Sequence, residues 1–308
     1  MSITRYVSSF SGLVDDVVRN LRGAGFGAVR EFVWRTILRY GAELSAAPVL
    51  EADWDLLVVL DACRADLWTE VVSTESDLPV GTSRIAPGGT STEWLTKVFQ
   101  ESAPDALGEI AYVTGNPYSD DYVDGEALAY LDEVWRYGWD DDLGSIPPRE
   151  ITDAAIEASR SDNPDRLIVH YMQPHFPSLV TDRDDGIAVD EWGERSLSVW
   201  DDLRFGNRSP TAVWDAYRGN LRLVLDDVRL LLSNVDANRA VITADHGNAF
   251  GERGIYGHAA GLALPPLRKV PWAVTSATDQ EAYEPTPTHD TKPAKANVTR
   301  RLEELGYR

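Results

Sequence analysis

Four of the five histidines in this 308-residue chain, together with two of its aspartates, stand at or just beyond the ends of apolar runs. Asp61 follows DLLVVL (55–60), and His170-Tyr-Met-Gln-Pro-His175 closes the run that starts RLIV (166–169). Asp245-His246-Gly247 ends RAVITAD (239–245), and Gly257-His258 lies twelve residues beyond His246. Neutral imidazoles and carboxylates are ligands for Zn²⁺, Mn²⁺ or a similar divalent ion, so the set predicts a shared metal site. Taken singly, a strand-end Asp is more often a helix cap and a buried His a satisfied core residue; their joint placement carries the argument. The fifth, His289, sits in a polar connector and reads as a surface residue.

A second stretch with chemical potential is APGGTSTEWL, 86–95. Its two glycines allow close backbone approach, and Thr90, Ser91 and Thr92 precede a helical pattern whose free N–H groups would face a bound anion. One hydroxyl can cap that helix, with Glu93 close to its start. Another can be a nucleophile, because a bound metal lowers the pKa of a coordinated hydroxyl.

These residues need elements to position them. Apolar runs recur as DLLVVL (55–60), IAYVTG (110–115), RLIVHYM (166–172), RAVITAD (239–245) and VPWAVTS (270–276), and continuous rather than alternating runs predict strands covered on both faces. Helical patterns lie between them: TEWLTKVFQES, REITDAAIEASRS and SPTAVWDAYRGNLRLVLDDVRLLLSNV. The expected fold is an α/β protein, a three-layer α/β/α sandwich with a largely parallel central sheet. In such a sheet ligands collect outside the carboxyl ends of the strands, where the Asp and His residues fall. Residues 1–50 read as an N-terminal amphipathic helical segment that packs on the sheet's edge, holds a partner or touches a membrane, with packing favoured. Residues 51–308 read as one catalytic domain with a short C-terminal helix, NVTRRLEELGYR. Segments 119–148 and 178–210 are Asp-rich and turn-rich and read as long polar excursions.

Composition narrows the partners. A net charge of −21, from 50 acidic against 29 basic residues with no basic patch, excludes nucleic acid as a partner. A surface so acidic, with four lysines, resembles that of proteins from salt-loving archaea, where dense salt screens self-repulsion. No stretch approaches 18 consecutive apolar residues and the start shows no signal-peptide pattern, so a cytoplasmic protein without a transmembrane segment is expected. The lone Cys63 excludes a disulfide framework and a cysteine zinc site.

Four stretches carry a family resemblance: VVLDACRADLW, GGTSTEWL, HYMQPHFP and ITADHGNAFGERGIYGH. In this order, over about 53–276, they are similar to the alkaline phosphatase superfamily and its sulfatase-like branch. The resemblance implies that Asp61, Asp245 and His246 bind one divalent metal (Zn, Mn, Ca or Mg), with the nucleophile in 90–92. Thr90 is favoured there and Ser91 is next. It implies that His258 and His175 bind a second metal or contact substrate oxygens, His258 also offsetting charge on the leaving oxygen. Arg64 and Arg253 lie near these stretches and either grip phosphate or sulfate oxygens or form surface salt bridges. Glu252 is a candidate partner for a histidine, and Asn116-Pro117 borders the pocket or is a plain turn. The C/S-x-P-x-R signature of formylglycine sulfatases is absent, and Ala62 stands where many sulfatases have a second Asp. The implied activity is therefore hydrolysis or transfer of small-molecule or glycan-type phosphate or sulfate esters by a hydroxyl nucleophile. The alternatives are a true sulfatase and a non-catalytic metal-binding scaffold.

Overall fold

The computed structural model describes residues 26–40, 44–46, 48–75, 77–140, 142–180 and 198–286. In β1 (Leu56–Leu60) all five side chains are buried. Because side chains alternate across a strand, Leu56, Val58 and Leu60 enter the core on one face of the sheet, and Leu57 and Val59 enter the core on the other. The same division separates Ala111 and Val113 from Ile110 and Tyr112 in β3 (Ile110–Thr114), and Leu167 and Val169 from Ile168 in β5 (Arg166–Tyr171). Burial on both faces is what made these runs continuously apolar.

Seven strands form the sheet in the order β2-β9-β6-β1-β5-β3-β4. Here β2 is Thr82–Ile85, β4 is Tyr130–Glu133, β6 is Ala237–Thr243 and β9 is Lys269–Ala277. The pairs β6/β1, β1/β5, β5/β3 and β3/β4 are parallel. At the other edge β9 runs antiparallel to both β6 and β2. A separate two-stranded ribbon joins β7 (Ala249–Phe250) to β8 (Tyr256–Gly257). The five strands read from apolar runs are all present, within one to two residues of their expected ends. The edge strands β2 and β4 are additions. Both are short and only partly buried, so neither carries an apolar run, and β4 falls inside a stretch expected to be an excursion.

Helices cover both faces. On one side lie α2 (Ala65–Glu75), α4 (Pro148–Asp162) and α6 (Pro210–Leu232), whose buried stripes join the larger core cluster. On the other side Trp94, Leu95, Val98 and Phe99 pack from α3 (Ser91–Leu95) and the π-helical turn Thr96–Gln100 that continues it. Between α4 and α6 in sequence lies the short α5 (Val199–Phe205), capped by Ser198. At the N-terminus, α1 (Phe26–Tyr40) lays Leu38 and Trp34 against Ala249, Ile255, Leu262 and Leu264. Ion pairing from Arg204 to Glu31, at 3.0 Å, adds to that contact. Residues 1–25, the middle of segment 178–210, His289 and the expected final helix lie outside the described residues.

Among the described residues, no helix is long and apolar enough to cross a membrane.

Candidate metal centre and active site

Three parallel strands, β6, β1 and β5, deliver Asp245, Asp61 and the His170–His175 segment to the same carboxyl edge of the sheet. Register sets the spacing: Val59 lies opposite both His170 and Thr243, so Asp61 and Asp245 emerge side by side. After Asp61 the chain turns sharply, with Ala62 held in the left-handed region at φ +61°. That turn aims the Ala62 N–H at Asp245 Oδ1, 2.9 Å away, while the Ala62 carbonyl accepts from Tyr217 of α6. Gly247 has a steric reason: a Cβ there would lie 2.3 Å from the Pro266 carbonyl oxygen.

Asp61, Asp245, His246 and Ser91 have no exposed surface. His246 Nε2 stands 3.5 Å from Asp61 Oδ1 and 3.6 Å from Asp245 Oδ2, and one ligand atom from each of the three residues falls within 4.8 Å of the other two. His246 Nδ1 is 2.9 Å from the Gly247 carbonyl, which can only accept, so the ring proton sits on Nδ1 and Nε2 presents its lone pair. A lone pair therefore faces two buried carboxylates, an arrangement that repels itself until a cation lies between them. Burial works to raise the Asp245 pKa, but donors around it, the Ala62 N–H among them, hold the carboxyl below its usual value. Asp245 Oδ2 has no hydrogen-bond donor among the described residues. A nitrogen and two carboxylate oxygens fit a divalent ion such as Zn²⁺ or Mn²⁺.

Ser91, at the first turn of α3, completes the group. Its Oγ donates to Asp61 Oδ2 at 3.4 Å and lies 3.3 Å from His246 Nε2. Thr90 faces elsewhere. As the extended N-cap residue (φ −146°, ψ 159°) it turns its Oγ1 back to accept from the Glu93 N–H at 3.2 Å, and it lies 3.1 Å from Thr92 Oγ1. The hydroxyl favoured from the sequence thus caps the helix, and its neighbour faces the carboxylates. Gly88 permits the tight entry, since a Cβ there would stand 2.4 Å from the Glu93 Cβ. Glu93 accepts from the Gly89 N–H (2.7 Å) and the Gly261 N–H (2.6 Å), tying the helix start to the chain just beyond His258.

His175 and His258 line the next layer outward. Their ring centroids are 5.1 Å apart, and that of His258 is 4.7 Å from His246. His175 Nδ1 donates to the Phe176 carbonyl at 2.6 Å, and His258 Nδ1 to Asn248 Oδ1 at 2.8 Å. In both rings Nε2 is then the acceptor. Burial, followed by the neighbouring His246, lowers the pKa of His175 to about 3 and that of His258 well below its usual value.

Arg64 does not reach toward this group. Its guanidinium donates to both Asp66 oxygens (2.8 and 2.6 Å), to Glu252 Oε1 (2.7 Å) and to the Asn248 carbonyl (2.9 Å). It also lies 5.2 Å from the centroid of the Trp214 ring. Glu252 accordingly pairs with Arg64 rather than with a histidine, and Arg253 lies over the Trp34 ring of α1 at 4.3 Å. Asn116, in contrast, is part of the site: it is fully buried and its Nδ2 donates to Asp61 Oδ2 at 3.1 Å. Asn248, Tyr112 and Thr114 were not singled out from the sequence. The available signal was two polar side chains spaced by two on a buried strand, IAYVT, and a polar residue two after His246.

Neither a family model nor a curated protein matches the sequence. Among solved structures, the chain is similar to the soluble domain of lipooligosaccharide phosphoethanolamine transferase A from Neisseria meningitidis, with 15% identity, 73% of this chain and 76% of that one covered, and a TM-score of 0.47. It is similar to the C-terminal periplasmic domain of EcEptC from Escherichia coli, solved in complex with Zn (11% identity, 78% and 77% covered, TM-score 0.40). A 2-O GAG sulfatase is a further neighbour (12% identity, 82% and 70% covered, TM-score 0.39). The chain itself has a mixed α/β architecture around a mostly parallel seven-stranded sheet.

Proposed function

We propose that this protein is a metal-dependent enzyme of the alkaline phosphatase superfamily that transfers or hydrolyses phosphate esters through Ser91. One observation carries the reading: the buried Ser91 hydroxyl lies 3.4 Å from Asp61 and 3.3 Å from His246, two of the three residues whose ligand atoms converge. A divalent ion held by Asp61, Asp245 and His246 would lower the pKa of a facing hydroxyl and draw charge from a phosphoryl oxygen.

Ser91 Oγ would form a bond to phosphorus as the bond to the departing oxygen breaks, leaving a phosphoserine and an alkoxide that takes a proton from solvent water and departs as the alcohol. Asp61 Oδ2 is the acceptor toward which the serine proton points. In the second step water or an acceptor alcohol attacks phosphorus as the phosphorus–Oγ bond breaks, and Ser91 regains its proton from Asp61 Oδ2. His258, turned by Asn248 so that Nε2 is the acceptor, takes the proton of that attacking oxygen. His175 stands beside it to orient the substrate's oxygens. Substrates are small-molecule or glycan-type esters, and the acidic surface suits a salt-rich cytoplasm.

The test is a panel of aryl phosphate, aryl phosphodiester and aryl sulfate with the Zn²⁺- or Mn²⁺-loaded protein, followed by mass spectrometry of the Ser91 peptide. Turnover of a phosphate ester with a trapped phosphoserine, both lost in Ser91→Ala, supports the reading. Turnover of the sulfate alone, no turnover at all, or undiminished rates in Ser91→Ala would overturn it.

A further inference from the structure

The buried histidines of this site do not share one tautomer. In His246, His175 and His258 the Nδ1 atom lies against a carbonyl or amide oxygen, so the proton is on Nδ1. His170 differs, because its Nδ1 lies 2.9 Å from the hydroxyl of Tyr112, a group able to donate or accept.

The direction of that bond follows from its neighbours. Asn116 backbone N–H donates to Thr114 Oγ1 at 3.0 Å, which leaves the Thr114 hydroxyl proton for another acceptor. Thr114 stands two residues from Tyr112 on the same face of β3, both fully buried, so its hydroxyl is placed to donate toward the Tyr112 oxygen. Tyr112 in turn can direct its own proton to His170 Nδ1. The His170 proton is then on Nε2, which faces Asp245 Oδ2 at 3.8 Å. Both atoms are buried and neither has a hydrogen-bond partner among the described residues. With a lone pair on each they would repel, whereas with a proton on Nε2 they attract. The ring cannot easily turn away, since it is fully buried and Trp94 of α3 meets it edge-on at 5.5 Å between centroids.

Asn116 also donates its side-chain Nδ2 to Asp61 Oδ2. We propose that His170 is a positioning residue carrying its proton on Nε2, and that Asn116, Thr114, Tyr112 and His170 form one chain of donors braced between the carboxylates of Asp61 and Asp245. This chain holds the two acidic ligands at the separation an ion needs, and it does so from inside the sheet. The inference rests on the reading that Asp61, Asp245 and His246 hold a divalent ion. Outer partners of metal ligands typically change affinity by about 10–100-fold when removed.

Two measurements test it. Long-range ¹⁵N–¹H correlation spectra of histidine-labelled protein, metal-free and Zn²⁺-loaded, are expected to show His170 protonated on Nε2 in both; a proton on Nδ1 overturns the inference. Zn²⁺ affinity by chelator competition is expected to fall about 10–100-fold in His170→Leu, less in the milder Tyr112→Phe, and to be largely recovered in His170→Gln, whose amide can donate to Asp245. Unchanged Zn²⁺ affinity in Tyr112→Phe together with His170→Leu overturns the positioning role, and Tyr112→Phe serves alone if the leucine variant does not fold. Failure of the parent protein to bind Zn²⁺ would instead sink the metal reading itself, and the metal-free spectrum would still decide the tautomer.

Discussion

Ser91 and His246 meet at 3.3 Å although 155 residues of chain separate them. Neither strand nor helix makes that contact alone. The helix start after the two glycines brings the hydroxyl, and the end of β6 brings the imidazole.

Thr90 and Ser91 should separate stability from chemistry. Thr90→Ala removes the N-cap acceptor and is expected to cost about 1 kcal/mol, with Thr90→Ser restoring it, in thermal or urea melts. Ester turnover should survive Thr90→Ser. Ser91→Ala should abolish turnover with a change in melting temperature of no more than a few degrees.

Arg64 should behave as a brace. Its bonds to Asp66, Glu252 and the Asn248 carbonyl fasten the turn after Asp61 to the ribbon that leads to His258. Removing hydrogen bonds to charged groups in Arg64→Ala is expected to lower stability by about 2–3 kcal/mol. Arg64→Lys should recover only part of that loss, because an ammonium cannot make the forked contact to Asp66. A tenfold or larger rise in KM with unchanged stability would show instead that Arg64 grips the substrate.

Acid should destabilise the metal-free protein through its buried histidines. Burial, the largest influence on both, lowers His170 to about 4 and His175 to about 3. Each has a folded pKa below the unfolded value of about 6.5, so the unfolded chain binds the extra proton first. Their contribution to stability is complete above that unfolded value, and it is lost as pH falls through about 4 for His170 and about 3 for His175. Urea midpoints of chelator-treated protein from pH 8 to pH 4 should therefore decline most below pH 6.5. A His170→Gln protein should show a shallower slope, and an identical slope would remove His170 from the explanation.

Salt should stabilise. Many arginines are already paired across the surface, as in Arg222 with Glu75 and Arg160 with Asp279, yet the chain keeps a net charge of −21. Screening that excess favours the compact state. Melting temperature is expected to rise from low to molar KCl, and an equal or falling value would argue against adaptation to high salt.

The sequence by itself determined the strands and the ligand candidates. Burial on both faces forces continuous apolar runs, so β1, β3, β5, β6 and β9 were visible, and Asp61, Asp245 and His246 stood out at their ends. Tertiary structure decided the rest. Which of three adjacent hydroxyls faces the carboxylates depends on where the helix begins, since each residue along it turns the side chain by about 100°. That start was fixed by Thr90 capping the Glu93 N–H and by Glu93 binding Gly89 and Gly261. Arg64 stood between an anion binder and a salt bridge because the position of Glu252, 188 residues away, is set only when the ribbon packs. The edge strands β2 and β4 escaped notice because half-buried strands carry no distinctive apolar run. Thr114 and His170 lie on adjacent strands, and only the parallel register of β3 with β5 places them opposite each other.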